Sequence, residues 1–445
     1  MRKVIAHLKS NFYLDIIAIM FLLLSFFIEP LISLSSGNGF VFNLYEQVFK
    51  GYLRIITSPS ILITDYVYIA GIGATLFNVA TILITNMILL RLLRIEMTGP
   101  VYAGLIMICG FSFFGKNIFN AFPIYLGIYI YSLFKRVPFK SYILTVLFST
   151  GISPLVSYAI FGFGIPYYFS IPLGIISGMI VGFILPAFAA HTIVFHEGYN
   201  LYNTGFALGI LSAMFYGIFN LFQLKTVAVA LYDYSSSTVF YYLLPLLSGL
   251  SILFGIMGDR GVFKKYYAML KTSGRLISDY AAEFGKEAVM VNFGVLGLVL
   301  FLICLVFRIP MNGVIFGSIL SILGFAGYGL HIRNVLPVWV GAGFIIFIQA
   351  LITNNYTLGI STIMSFVFAS GIAPICGRYG IITGIGAGIL HIIITPLMIN
   401  FQGGFDLYNN GFSAGFVGAI VYVLAEKIFN RGDRRGRKSK NKQNN

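Results

Sequence analysis

The chain has 445 residues, of which 58% are apolar and only 10% charged, with a mean hydropathy of +0.90 and a formal net charge of +15. A soluble globular domain carries about 25% charged residues, so this composition excludes one and specifies a polytopic all-α membrane protein. The positive charge does not point to nucleic acid. The basic residues gather in Met1–Ser10, Lys135–Lys140, Arg260–Lys286 and Arg431–Lys442, beside apolar runs, where Lys and Arg set orientation and attract anionic lipid.

Apolar runs long enough to cross about 30 Å of hydrocarbon recur along the chain. Gly and Pro inside them suit helices in lipid rather than a barrel. The first run, near 12–34, follows Arg2, Lys3 and Lys9 and contains Glu29-Pro30 without a small-x-small cleavage site, so it reads as a retained helix. Six more follow near 66–93, 98–114, 119–134, 141–161, 167–190 and 206–225. A connecting helix near 237–257 leads into the basic stretch 259–287, which fits either an amphipathic surface helix or a solvated connector. A second set of six lies near 288–307, 312–328, 335–352, 357–375, 379–399 and 411–428. That makes fourteen, some short enough to be re-entrant. The resulting organisation is an N-terminal helix and external connector (1–64), a first repeat (65–225), a connecting helix and basic cytoplasmic linker (226–287), a second repeat (288–428), and a basic cytoplasmic tail (429–445) too polar to fold.

The two sets are related by duplication. Gly-Tyr-Asn-Leu-Tyr-Asn-Thr-Gly-Phe at 198–206 returns as Gly-Phe-Asp-Leu-Tyr-Asn-Asn-Gly-Phe at 404–412. Asn120-x-x-Pro123-x-x-x-Gly127 returns as Asn334-x-x-Pro337-x-x-x-Gly341, and Gly151-Ile152-x-Pro154 as Gly371-Ile372-x-Pro374. Gly178-x-x-x-Gly182 returns as Gly384-x-x-x-Gly388. The last pair are small-xxx-small faces, sufficient for close helix packing. With the N-terminus inside, most basic loops fall on the cytoplasmic side. Seven crossings then separate the starts of the halves, so the repeat is inverted, with both termini cytoplasmic in a bacterial inner membrane. Such repeats place equivalent segments opposite one another near the midplane, where transporters build their sites.

In each signature, Gly and paired polar residues precede an apolar run. Helices therefore break or begin there, with Asn203 or Asn409 near an N-cap. Two readings stay open: paired helix starts facing a solute path, or interfacial caps. On the first, Asn200, Tyr202, Asn203, Asp406, Tyr408 and Asn409 bind substrate. Glu197 and Asp406 are candidates for ion coupling, because carboxylates are scarce here and costly in a membrane. Asn120, Pro123, Asn334 and Pro337 mark helix breaks or turns. His191, His196 and His391 lack zinc-protease spacing, and Cys109, Cys304 and Cys376 lack metal-ligand spacing. No catalytic constellation, metal or other cofactor is expected.

The doubled Leu-Tyr-Asn-x-Gly-Phe signature resembles an uncharacterised family of bacterial membrane proteins, catalogued as domain of unknown function 1576. The resemblance covers nearly the whole chain and implies a membrane protein of this size without naming a substrate. Gly198-Tyr199-Asn200 and Gly205 are also similar to the pore-lining segment of urea transporters, whereas the second half reads Gly404-Phe405-Asp406. The expected function is a transporter or channel for a small polar solute between the inverted halves. The alternative is a membrane scaffold or envelope- or lipid-related component without flux. The expected partners are the lipid bilayer and a small polar solute or ion, not nucleic acid; homo-oligomer formation stays open.

Overall fold

The computed structural model describes residues 12–37 and 43–443; the basic cluster Met1–Ser10 lies outside them. The fold is all-helical. Its first ten helices are α1 Phe12–Ser35, α2 Gly51–Ile56, α3 Tyr66–Ala70, α4 Ile72–Leu92, α5 Gly99–Phe111, α6 Ile118–Lys135, α7 Ile143–Ser149, α8 Ser153–Phe161, α9 Tyr167–Phe195 and α10 Asn203–Leu221. They are followed by α11 Ser237–Gly258, α12 Val262–Met269, α13 Tyr280–Phe284, α14 Lys286–Val306, α15 Gly313–Leu323, α16 Ile332–Thr353, α17 Ile360–Phe368, α18 Ala373–Tyr379, α19 Ile381–Gln402 and α20 Asn409–Gln443. Taking α7 with α8 and α17 with α18 as single spans, twelve helical segments among the described residues are long and apolar enough to cross a membrane. Of the fourteen apolar runs expected, the two that fall short are those of α5 and α15.

Equivalent residues of the two halves make equivalent contacts. The third and thirteenth helices are capped alike: Asp65 Oδ1 accepts from Val67 N–H at 2.9 Å and Asp279 Oδ1 from Ala282 N–H at 3.0 Å. Each carboxylate also reaches into the other half. Asp65 Oδ2 accepts from Gly313 N–H at the start of α15 (3.1 Å), and Asp279 Oδ1 from Gly99 N–H at the start of α5 (2.8 Å). Burial pushes the Asp65 pKa up to about 7, against the lowering pull of these backbone donors. Asn78 donates to the carbonyls of Ser112 and Lys116 just as Asn292 donates to those of Ala326 and Leu330. α4 and α14 both begin behind a glycine at positive φ, Gly71 (85°) and Gly285 (89°), a backbone that side-chain-bearing residues adopt only with strain.

α5 and α15 form the centre of the molecule. They lie antiparallel, with Gly110 against Gly317, Gly324 against Ala103, and Gly327 against Gly99. Antiparallel pairing of repeat-equivalent helices requires a pseudo-two-fold axis perpendicular to them, which is the geometry of inversion. In lipid such contact gains little from the hydrophobic effect; close van der Waals packing of small residues holds it. Gly127 and Gly182 do the same for α6 and α9, and Gly341 and Gly388 for α16 and α19.

Several expectations change. α11 is more than a connector, since it packs along α14 as α1 packs along α4. The equivalence of the halves therefore extends back to α1 and α11, and α13, counterpart of α3, lies in the stretch taken for linker. The external connector contains a π-helical turn at Tyr45–Lys50 and then α2. Pro123 and Pro337 do not break helices; α6 and α16 run through them. Asn120 and Asn334 instead close capping boxes with Asn117 and His331, which satisfy the free amides of the first turn. The breaks occur at Gly151 and Gly371, where 3₁₀ turns separate α7 from α8 and α17 from α18. The tail expected to be unfolded continues α20 as helix to Gln443; adding residues to a formed helix avoids the nucleation cost, and Lys, Arg and Gln are good helix formers.

Candidate functional site

The signatures occupy the segments before α10 and α20 and run inward from opposite faces. Gly198 carries the first past a strap formed by Arg275 and Leu276, with Leu276 N–H donating to the Gly198 carbonyl (3.0 Å). Gly404 carries the second past Ile61 and Leu62 in the same way, with Leu62 N–H donating to the Gly404 carbonyl (3.1 Å). The two segments meet at Tyr202 and Tyr408, whose ring centroids are 5.9 Å apart. Phe111, Phe325 and Phe368 complete a buried aromatic cluster: Phe111 packs edge-on to Tyr408 (4.7 Å) and Phe325 to Tyr202 (4.7 Å).

The helix breaks receive these tyrosines. The Gly371 carbonyl accepts from Leu201 N–H and the Gly151 carbonyl from Leu407 N–H, both at 2.8 Å. A Cβ on Gly371 would lie 2.5 Å from the Tyr202 ring, and one on Gly151 2.5 Å from the Tyr408 ring. Neither glycine stood out as a site residue in the sequence, although their repeated Gly-x-x-Pro setting was visible.

Backbone symmetry ends where side-chain chemistry begins. In the first half Asn200 Oδ1 accepts from Tyr202 N–H and its Nδ2 donates across the axis to the Gly411 carbonyl, both at 2.9 Å. Tyr202 Oη meets Ser370 Oγ at 2.6 Å. Asn203 is the first residue of α10 rather than its cap; its Nδ2 donates to the Ala189 carbonyl (2.9 Å), and its Oδ1 faces His196 Nε2 (2.9 Å) and Thr192 Oγ1 (3.0 Å). His196 Nδ1 accepts from Asn200 N–H (3.3 Å), which leaves Nε2 as the protonated nitrogen. Burial lowers the pKa of this imidazole to about 4, so it is neutral.

The second half repeats the turn without the partners. Asp406 Oδ1 accepts from Tyr408 N–H (2.9 Å), as Asn200 does from Tyr202, but Asp406 Oδ2 has no partner among the described residues. Tyr408 Oη, Asn409 Oδ1 and both amide atoms of Gln402, the counterpart of His196, are likewise buried and unpaired. His391 is buried and faces Asn410 Oδ1 at 3.3 Å. Asp406 lies between α19 and α20, outside the spanning helices and fully buried, and burial raises its pKa well above the carboxylate range.

A cavity of about 350 Å³ reaches inward beside α9 and the strap to the tyrosine pair. Its lining includes the exposed Ile277, the half-buried Ile193, Asn203 and Leu276, and the buried Phe148, Tyr202 and Tyr408. Not one of its lining residues is charged. Asn200, Asp406 and Asn409 do not line it. Glu197 stands at the surface, about two-fifths exposed, paired with Arg275 (2.9 Å), whose guanidinium also covers Tyr199.

No curated protein and no solved structure matches the chain, so the likeness to urea transporters has no support. Residues 44–221 and 259–427 match the family described as Protein of unknown function (DUF1576), and the chain belongs to that family.

Proposed function

We propose that the protein carries a small uncharged solute across the membrane by exposing its two signatures alternately to opposite sides. One observation carries this reading: a cavity bordered by the exposed Ile277 is also lined by the buried Tyr202 and Tyr408, where the two halves meet. Inverted repeats characteristically build solute sites at such an interface, and rocking of one half against the other moves access from side to side. The uncharged lining favours a solute with an apolar body and a few hydrogen-bonding groups, held by Tyr202 and Asn203. Thr204 lines the cavity and is half-buried, whereas its counterpart Asn410 is buried, as expected if the second signature is the closed one in this state.

The test uses single cysteines in protein lacking Cys109, Cys304 and Cys376, with a membrane-impermeant maleimide applied from each side. Thr204→Cys, in the cavity, is expected to react from the Arg275 face. Its counterpart Asn410→Cys is expected to react from the opposite face, during excursions to the other state. An Asn410→Cys protein that never reacts, while Thr204→Cys reacts freely, would leave a one-sided crevice and favour the scaffold reading.

A further inference from the structure

We propose that Asp406 is a proton-binding site whose occupancy controls whether the second signature stays closed against α10; this rests on the alternating reading above. The argument is a residue-by-residue comparison of equivalent turns. Asn200 and Asp406 occupy the same position, and each accepts from the backbone N–H two residues on, at 2.9 Å. Asn200 uses its remaining group as a donor, clamping the Gly411 carbonyl of the other half. The repeat-equivalent of that acceptor is the carbonyl of Gly205, on the turn of α10 that packs against Tyr408. A carboxylate cannot donate there; a carboxylic acid can. Protonation therefore turns Asp406 into the counterpart of Asn200 and completes the second clamp.

Among the described residues, no other group supplies the missing charge balance. The phenol of Tyr408 is on the same segment, with Tyr202 across the axis, and Tyr158 of α8 packs beside Phe405. Asp65, on the strap that carries Ile61, is engaged by Val67 and Gly313 N–H. Lys116 follows Gly115, against which Leu407 packs, but its Nζ faces Met107 Sδ at 4.0 Å and lies over the Phe111 ring at 5.3 Å. The donor that serves the first half, His196, is replaced by Gln402, whose amide is itself unpaired. An ionised Asp406 in this setting is a buried, uncompensated charge, which is strongly disfavoured. Losing the proton to water is thus coupled to separating the second signature from α10, and regaining it from water to reclosing. The O–H bond formed and broken at Oδ2 is the only covalent change.

Infrared spectra of the purified protein test this. In an Asp65→Asn background, which removes the other buried carboxyl with a raised pKa, the protein at neutral pH is expected to show the carbonyl stretch of a buried protonated carboxyl, lost on adding Asp406→Asn. The variant should fold, because Asn serves at position 200; should it not, Asp406→Glu must shift the same band. In parallel, labelling of Asn410→Cys from the face opposite Arg275 should rise as pH rises, and Asp406→Asn should hold it at the low-pH level. Identical spectra with and without Asp406→Asn overturn the proposal. So does a band that sodium chloride removes at constant pH, which would make sodium the bound cation. These failures differ from failure of the transport reading, in which Asn410→Cys never reacts while the carboxyl band is present.

Discussion

The segments 198–206 and 404–412 have nearly the same sequence and make the same backbone contacts, yet they differ in chemical completeness. The first has Asn200, Tyr202 and Asn203 all hydrogen-bonded and an open cavity beside it. In the second, Asp406, Tyr408 and Asn409 each keep a buried polar atom with no partner among the described residues. Leaving a buried donor or acceptor unsatisfied costs about 1–3 kcal/mol per group. The difference teaches that the duplication supplied one backbone frame twice, and that the two copies now carry unequal side-chain chemistry.

The sharpest way to break the comparison is to remove the two equivalent side chains. Asn200→Ala leaves Tyr202 N–H without its partner and removes the tie to the Gly411 carbonyl, and should cost about 2–4 kcal/mol in thermal unfolding in detergent. Asp406→Ala, which also removes a buried carboxyl, should cost much less; equal losses would show that the two turns are energetically alike. The helix breaks should instead behave alike. Gly371→Ala and Gly151→Ala each drive a methyl into a tyrosine ring and should each lose about 1–3 kcal/mol by overpacking.

The pH dependence follows from the raised pKa of Asp406. The folded chain holds this proton more tightly than the unfolded chain, so the resulting stability is fully present below the unfolded value and is lost as pH rises through the folded one. Wild type should therefore lose melting temperature towards alkaline pH more steeply than Asp406→Asn. Parallel curves would remove Asp406 as a titrating group. A smaller contrast is Tyr202→Phe, which breaks the bond to Ser370 and should cost about 1 kcal/mol, against Tyr408→Phe, which removes an unpaired hydroxyl and should be neutral or slightly stabilising. Smallest of all, Arg275→Ala should change stability by less than about 1 kcal/mol, because its pair with Glu197 is exposed.

Much of this was legible in the chain itself. Apolar runs of sufficient length dictated a membrane-spanning helical fold, because no other open structure satisfies its backbone in lipid. Repeated motifs identified the duplication, and Gly178-x-x-x-Gly182 with its counterpart marked close helix contacts. The signatures drew attention to Tyr202 and Tyr408 before their contact was visible. Other features depended on distant partners that local pattern does not encode. Pro123 reads as a breaker, yet a capping box formed with Asn117 starts the helix ahead of it. Asp65 and Asp279 each serve the other half's central helix, pairings across 248 and 180 residues of the chain. Asn200 and Asp406 differ in sequence by one amide, but only the packed structure shows that one finds its acceptor and the other lacks a donor. Composition and periodicity determine which segments are helices, because those are local properties of a chain in lipid. Tertiary packing decided which polar groups are paired and where the cavity lies, because both depend on the relative placement of the two halves.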